Sequence, residues 1–180
     1  MDLPSRNVEI KAKVRDFESI ILKAEEMSGK EPIKLNQKDI FYHSFCRENR
    51  LKLRDENGCG TLISYSRPDL EGPKLSKYKK CQVNDPSALS AVLEDALGVK
   101  GVVKKQRFLF LVGQTRIHID QVEGLGNFME LEVGLRDTQS VEEGQVIAQE
   151  LMSQLGVSET DLLAGAYMDM MQKHSETVSI

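Results

Sequence analysis

The sequence contains no tryptophan and only three cysteines, Cys46, Cys59 and Cys81, which are widely spaced. None of them forms a Cys-x-x-Cys pair. That argues against a zinc knuckle or a disulfide framework and sets the expectation of a reducing compartment. No apolar run approaches the roughly 18 residues of a membrane span. The opening "MDLPSRN" also lacks the apolar stretch of a secretory leader, so the expected location is cytoplasmic, with no membrane partner. A basic excess is missing too. The net charge of −4 argues against a general nucleic-acid binder, but it leaves room for a local cationic cleft that focuses its own field. What remains is a chain of 180 residues, 40% hydrophobic and 29% charged. That is the composition of one soluble globular domain with a substantial core.

The common site motifs fail. "EGLGN" has Met129 where a dinucleotide fingerprint needs its third glycine, and it sits between strands. "DENGCG" is followed by neither Lys-Ser nor Lys-Thr, so it is no phosphate-binding P-loop. His43, His118 and His174 lack the spacing of a metal cluster. Phe108, Phe110 and Tyr167 read as core rather than as a base-stacking platform.

Periodicity predicts an α+β protein of about eight strands and four helices, joined mostly by hairpins, with an antiparallel sheet large enough to curl or close. The first strand, "RNVEIKAKV", leads through the N-cap Asp16 to a helix ending near Gly29. A strand follows in "IKLNQKDIFYHSF", then a hairpin turning at Asn57-Gly58. "LSKYKKCQV" is the next strand, and Asp85-Pro86 opens a second helix that leaves at Gly98. Three strands, "VVKKQRFLFLV", "TRIHIDQV" and "NFMELEVGL", precede a helix with a Ser140/Glu143 capping box. A last helix is expected over about Glu159 to Lys173, with residues 176–180 as a frayed tail of the single domain 1–180.

One face of each strand carries the argument. In the first strand Asn7, Glu9, Lys11 and Lys13 alternate with Val8, Ile10, Ala12 and Val14. Arg50, Lys52 and Arg54 share a face, as do Lys105 and Arg107, then Arg116, His118 and Asp120, then Glu130 and Glu132. A solvated sheet surface usually mixes in Thr, Ser and Gln, whereas these faces are nearly all ionisable. These faces are either the wet side of an antiparallel sheet, with helices over the apolar side, or, if the sheet closes with its charges inward, the lining of a lumen. Buried charges need partners. Cations that neutralise phosphate oxygens, beside carboxylates that hold Mg²⁺, match a polyphosphate with a divalent metal.

"NVEIKAK" resembles the Glu-x-Glu-x-Lys signature strand of the CYTH superfamily, the triphosphate tunnel metalloenzymes. These include class IV adenylyl cyclases, thiamine triphosphatases and inorganic tripolyphosphatases. Asn7 stands where the family has its first Glu. The resemblance continues, in order, through "QKDIFYH", "RLKLR", "KKQRF", "IHIDQVEGLGNFMELEV" and "GAYMDMM". It implies a closed eight-stranded antiparallel β-barrel with helices outside, a tunnel, and Mg²⁺- or Mn²⁺-dependent chemistry on a small-molecule triphosphate. By position, Lys11, Lys52, Arg54, Lys105, Arg107 and Arg116 are implied as phosphate ligands, and Glu9, Asp120, Glu130 and Glu132 as metal ligands. Glu9, Lys11, Glu130 and Glu132 are the implied catalytic set. His118 is able to face the lumen, but as an isolated histidine it reads as structural. Lys13 stands open between ligand and rim. The segment "SRPDLEGPK" is either a loop at the tunnel mouth or merely carries Arg67 and Lys74 as solvated charges. Met168, Met170 and Met171 are expected to pack a helix on the barrel or plug one end.

The implied activity is metal-dependent hydrolysis of a triphosphate, and inorganic tripolyphosphate needs the fewest further contacts. A class IV cyclase would need an adenine-sized apolar recess at one tunnel end. A thiamine triphosphatase would need an aromatic slot, for which Phe41 or Tyr42 are available. A polyphosphate-binding module without turnover is the reading to which Asn7 lends weight.

Overall fold

The computed structural model describes residues 6–46 and 48–178. Eight strands form a closed antiparallel barrel in the order β1-β5-β4-β3-β2-β6-β7-β8, with β8 returning to β1. They are β1 (Arg6–Lys13), β2 (Ile33–Tyr42), β3 (Arg50–Glu56), β4 (Cys59–Ser66), β5 (Lys74–Val83), β6 (Val99–Val112), β7 (Thr115–Val122) and β8 (Gly126–Gly134). Four α-helices accompany them: α1 (Phe17–Ser28), α2 (Pro86–Leu97), α3 (Val141–Leu155) and α4 (Tyr167–Val178). No described helix is long and apolar enough to cross a membrane.

Local chemistry sets the boundaries. Asn57 and Gly58 turn the β3–β4 hairpin with φ of 53° and 85°, the pair of left-handed residues a two-residue hairpin loop demands. Asp16 caps α1 by accepting from the Ser19 amide, and Asp85 caps α2 ahead of Pro86. Ser140 and Glu143 complete the expected capping box of α3, with both bonds formed.

Alternation along the strands gives the barrel two dissimilar surfaces. Val8, Ile10, Ala12, Ile117, Ile119, Leu131 and Val133 are fully buried on the outside, under Ile20 and Ala24 of α1 and Ala148, Leu151 and Met152 of α3. α3 approaches closely because Gly144 faces the wall. A Cβ there would stand 2.5 Å from Leu135 and 2.8 Å from Val8. A second apolar cluster closes one end of the barrel, where Tyr167 and Met168 of α4 meet Phe41, Val103, Val122 and Phe128. Met170 and Met171 pack beside it, so the methionines hold α4 against the barrel.

The last expected helix needs correction. Glu159–Asp161 form a single 3₁₀ turn, the chain then runs extended, and α4 begins only at Tyr167. Gly165, with φ of 80°, interrupts the run that periodicity had joined. The tail expected to fray at 176–180 falls partly outside the described residues: α4 runs to Val178, and 179–180 are not described. Residues 1–5, the larger part of the opening "MDLPSRN", are likewise outside them.

Candidate functional site

Register places the charges. Across β1 and β8, Lys11 stands opposite Glu130, and Glu9 opposite Glu132. Across β7 and β8, His118 faces Glu130 and Arg116 faces Glu132, while Arg107 of β6 is opposite Asp120 of β7. On the far side, Asp39 of β2 is opposite Arg54 of β3. Like charges directly opposite in a sheet repel, so the Glu9–Glu132 pair requires a cation nearby.

These side chains converge on a cavity of about 280 Å³ inside the barrel, near the small end of the roughly 300–1,000 Å³ usual for ligand pockets. Eight cationic side chains line it, Lys11, Lys52, Arg54, Arg67, Lys80, Lys105, Arg107 and Arg116, against four carboxylates, Glu9, Asp39, Glu130 and Glu132. Every lysine and arginine expected as a phosphate ligand is therefore in the wall. Lys13 is exposed and belongs to the rim.

The ion pairs divide the wall in two. Lys11 Nζ is 2.9 Å from Glu130 Oε1, and Arg107 Nη2 is 2.7 Å from Glu130 Oε2. Arg107 also grips Asp120 with two bonds of 2.7 and 2.6 Å, the bidentate geometry of guanidinium on carboxylate. Arg116 reaches Glu132 at 2.9 Å. Opposite, Asp39 takes a fork of two 2.7 Å bonds from Arg54 and a 3.0 Å contact from Lys52. Lys105 lies between the halves, 3.8 Å from Asp39 and 3.7 Å from Asp120.

Burial and these pairings move the proton affinities. Burial alone would raise Asp120, but the neighbouring Arg107 and Lys105 outweigh it and hold its carboxyl at about 2. Glu132 is likewise at about 2, with His118, Arg116 and Arg107 outweighing burial. Glu9 is raised above the ordinary carboxylate value, because burial together with Glu132 and Glu130 exceeds the pull of Arg67. Burial, with Arg107 adjacent, lowers Lys105 to about 7. Burial also lowers Lys52, to about 8, against the pull of Asp39. His118 lies below its ordinary value through burial and the Arg107 charge, which leaves the imidazole neutral near pH 7.

The carboxylates expected to hold a metal do not fall together. Glu130 and Glu132 join His118, not Asp120, in a group whose donor atoms all lie within 4.8 Å of one another. Asp120 is fully buried behind the cavity, engaged by Arg107 and by the Tyr167 hydroxyl, which donates to it at 2.9 Å. Glu9 is hydrogen-bonded by Arg67. The buried Nδ1 of His118 has no hydrogen-bond partner among the described residues, and neither does Asn7 Oδ1. Two carboxylates and an imidazole nitrogen are a chemically suitable donor set for a divalent cation.

Several residues of the site escaped sequence reasoning. Tyr167 is not simply core: its ring lies 3.7 Å under the Lys11 ammonium, a cation–π contact, and lines the cavity. Arg67 is not a solvated charge, since its side chain is 7% exposed and it also donates to the Gly165 carbonyl. Lys74 is buried and donates to the Leu70 carbonyl at 2.7 Å. Asp39 shares its face with Gln37 and Phe41, a parity visible in "QKDIFY". Phe41 lines the cavity, whereas Tyr42 points away from it, its hydroxyl 2.9 Å from that of Ser90.

Comparison with known proteins agrees with this architecture. The chain is 27% identical over 173 residues to "Putative adenylate cyclase MJ0240" of Methanocaldococcus jannaschii, covering 91% of this chain and 97% of that protein. It is 22% identical over 174 residues to the adenylate cyclase CyaB of Aeromonas hydrophila, with 92% and 88% covered. A solved structure of a Pyrococcus horikoshii OT3 protein superposes with a TM-score of 0.79 at 25% identity, covering 91% of this chain and 98% of that one. The CYTH domain model matches residues 5–167, the whole barrel with α1 to α3 and the chain up to the first residue of α4, and the chain therefore belongs to the CYTH domain family.

Proposed function

We propose that the protein is a metal-dependent hydrolase of triphosphates, with inorganic tripolyphosphate as its simplest substrate. One observation carries this reading. In a chain of net charge −4, the cavity inside the barrel gathers eight cationic side chains against four carboxylates, an excess that calls for a compact polyanion. CYTH tunnel enzymes are metal-dependent and act on small triphosphates.

In this reading Lys52, Arg54, Lys105 and Arg107 grip the phosphate chain, and Lys11 and Arg116 neutralise its nearer end. Arginine forks and lysine point charges stabilise the negative charge on the equatorial oxygens as the transferred group loosens. Glu130 and Glu132 would hold the divalent cation, which would supply Lewis acidity at the phosphoryl group when bound. Glu9, with its raised proton affinity, accepts a hydrogen bond from the attacking water, a task that suits a base nearer the working pH. Tyr167 and Met168 close one end and keep bulk water out.

A second reading has its own support. Leu35, Ile63 and Leu109 add apolar surface to the same cavity and would offer a nucleoside a recess. Two relatives carry the name of adenylate cyclase. A nucleoside in that recess would bring its ribose hydroxyl, rather than water, to the phosphoryl group.

Incubating the protein with tripolyphosphate, thiamine triphosphate and ATP, each with Mg²⁺ or Mn²⁺, and following phosphate and cyclic AMP separates the readings. Phosphate release is the expected result, lost by about 10²–10³-fold in Glu132→Gln. Cyclic AMP as the main product would overturn the hydrolase reading. Tight tripolyphosphate binding with no turnover under any condition would make this a binding module.

A further inference from the structure

We propose that His118 is itself a ligand of the divalent cation, through Nδ1, and that this imidazole biases the tunnel toward a first-row transition ion over Mg²⁺. The inference rests on the reading that the tunnel binds a cation at Glu130 and Glu132.

The first observation is an unsatisfied atom. His118 is 4% exposed, and its Nδ1 is buried with no hydrogen-bond partner among the described residues. Buried polar atoms are nearly always paired, and leaving one unpaired costs about 1–3 kcal/mol. The cost disappears if the lone pair has a partner the protein itself does not supply.

The second observation is what surrounds that atom. Nδ1 stands 3.7 Å from Glu132 Oε1 and 3.9 Å from Glu130 Oε2. Both separations are too long for hydrogen bonds. They do match donors sharing one ion, because ligands bonded at about 2.0–2.2 Å lie roughly 3–4 Å from one another. The Glu130 oxygens already accept from Lys11 and Arg107, and a Glu132 oxygen from Arg116. Each carboxylate oxygen retains a second lone pair for a metal.

The third observation is rigidity. His118 and Glu130 are register partners, and the neighbouring residues Ile117, Ile119 and Leu131 are fully buried beneath the helices. The three donors are thus presented by two strands of a packed core and not by loops.

Chemistry then sets the preference. Mg²⁺ favours an all-oxygen shell and keeps its waters, whereas first-row ions gain affinity from an imidazole nitrogen. A site of two carboxylates alone would lack that discrimination.

Mn²⁺ serves as the probe because its spin reports directly bound nitrogen. Pulsed EPR on Mn²⁺-loaded protein, with and without a non-hydrolysable methylene analogue of tripolyphosphate, should show a ¹⁴N coupling that changes on ¹⁵N-histidine labelling. In His118→Gln, with folding checked by circular dichroism, the coupling should vanish. Calorimetry should then show the Mn²⁺-to-Mg²⁺ affinity ratio falling by about tenfold or more. If Mn²⁺ binds without nitrogen coupling, and His118→Gln leaves the ratio unchanged, the ligand assignment fails while the cation reading survives. If the protein binds no Mn²⁺ in either condition, both fail. Should the variant not fold, the labelling result on the unmodified chain still decides whether an imidazole touches the ion.

Discussion

The two sides of the barrel are built differently. On the wall formed by β1, β7 and β8, the outer side chains are largely sealed under α1 and α3, and eight of the outward residues of these strands, Met129 among them, are fully buried. On the wall formed by β3, β4 and β5, α2 lies over β3 and β4 without burying any of its own residues, and Lys77 and Lys79 of β5 are exposed. The chemistry follows the same division. Glu9, Glu130, Glu132 and His118 stand on the sealed wall, while β3 and β4 and the loop after them bring no carboxylate into the cavity, only the cations Lys52, Arg54 and Arg67 beside Ile63 and Tyr65. Metal ligands must be held to tenths of an ångström. Long cationic side chains follow a polyphosphate by changing rotamer, so they tolerate a looser scaffold.

The largest expected contrast is in stability. Leu131→Ala removes a fully buried side chain behind Glu130 and Glu132 and should cost about 4 kcal/mol in urea denaturation. Leu62→Ala on β4, where the side chain is only partly buried, should cost about half of that or less. Equal losses would mean that the two walls are packed alike, and the division above would have no energetic basis.

Next comes the acidic residue that holds the loose wall together. Asp39 is 2% exposed and is the shared partner of Lys52, Arg54 and Lys105. Asp39→Asn leaves these cations facing one another, which should destabilise the free protein by about 3 kcal/mol. That is the low end for a broken buried pair, since Lys52 and Arg54 keep some contact with water. Saturating tripolyphosphate supplies the missing negative charge and should return most of that loss in a thermal melt. A deficit that the ligand does not relieve would show that Asp39 serves folding alone.

How much of this was legible in the sequence depends on where each residue sits. The strands were readable because apolar and ionisable residues alternate strictly, and faces so nearly free of neutral polar residues pointed to closure around charge. "RLKLR" and "FMELEV" therefore yielded their site residues directly. Residues outside that periodicity were hidden. Arg67 follows the end of β4 and Tyr167 opens a helix, so neither has a strand parity to reveal that it faces the cavity. His118 and the carboxylates it faces are 12 and 14 positions apart, and only the β7–β8 register brings them together. Asp120 was read correctly as acidic and inward, but no pattern announces that Arg107 and Tyr167 already occupy it. Gly165 broke the last helix because a single left-handed residue outweighs helical periodicity on either side.

The smallest expected effect lies where the walls meet. Lys105 sits between Asp39 and Asp120, and burial with Arg107 adjacent brings its pKa to about 7. A bound polyanion favours the charged ammonium and raises that value, so binding takes up a proton at pH above about 7. The sign follows: tripolyphosphate affinity is complete below the free-state value and falls as pH rises through it, by up to about tenfold per pH unit for one proton. Lys52, at about 8, adds to the fall only at higher pH. Lys105→Met removes the titrating group at similar length, and it also cancels the ligand's own protonation when the two proteins are compared. Calorimetry in two buffers of different ionisation enthalpy at pH 7.5 should show less proton uptake in the variant, together with weaker binding at pH 6.5. Identical uptake in both proteins would place the titrating cation elsewhere on the wall. An affinity advantage over the variant that grows with pH would mean that Lys105 is neutral when the phosphate chain is bound.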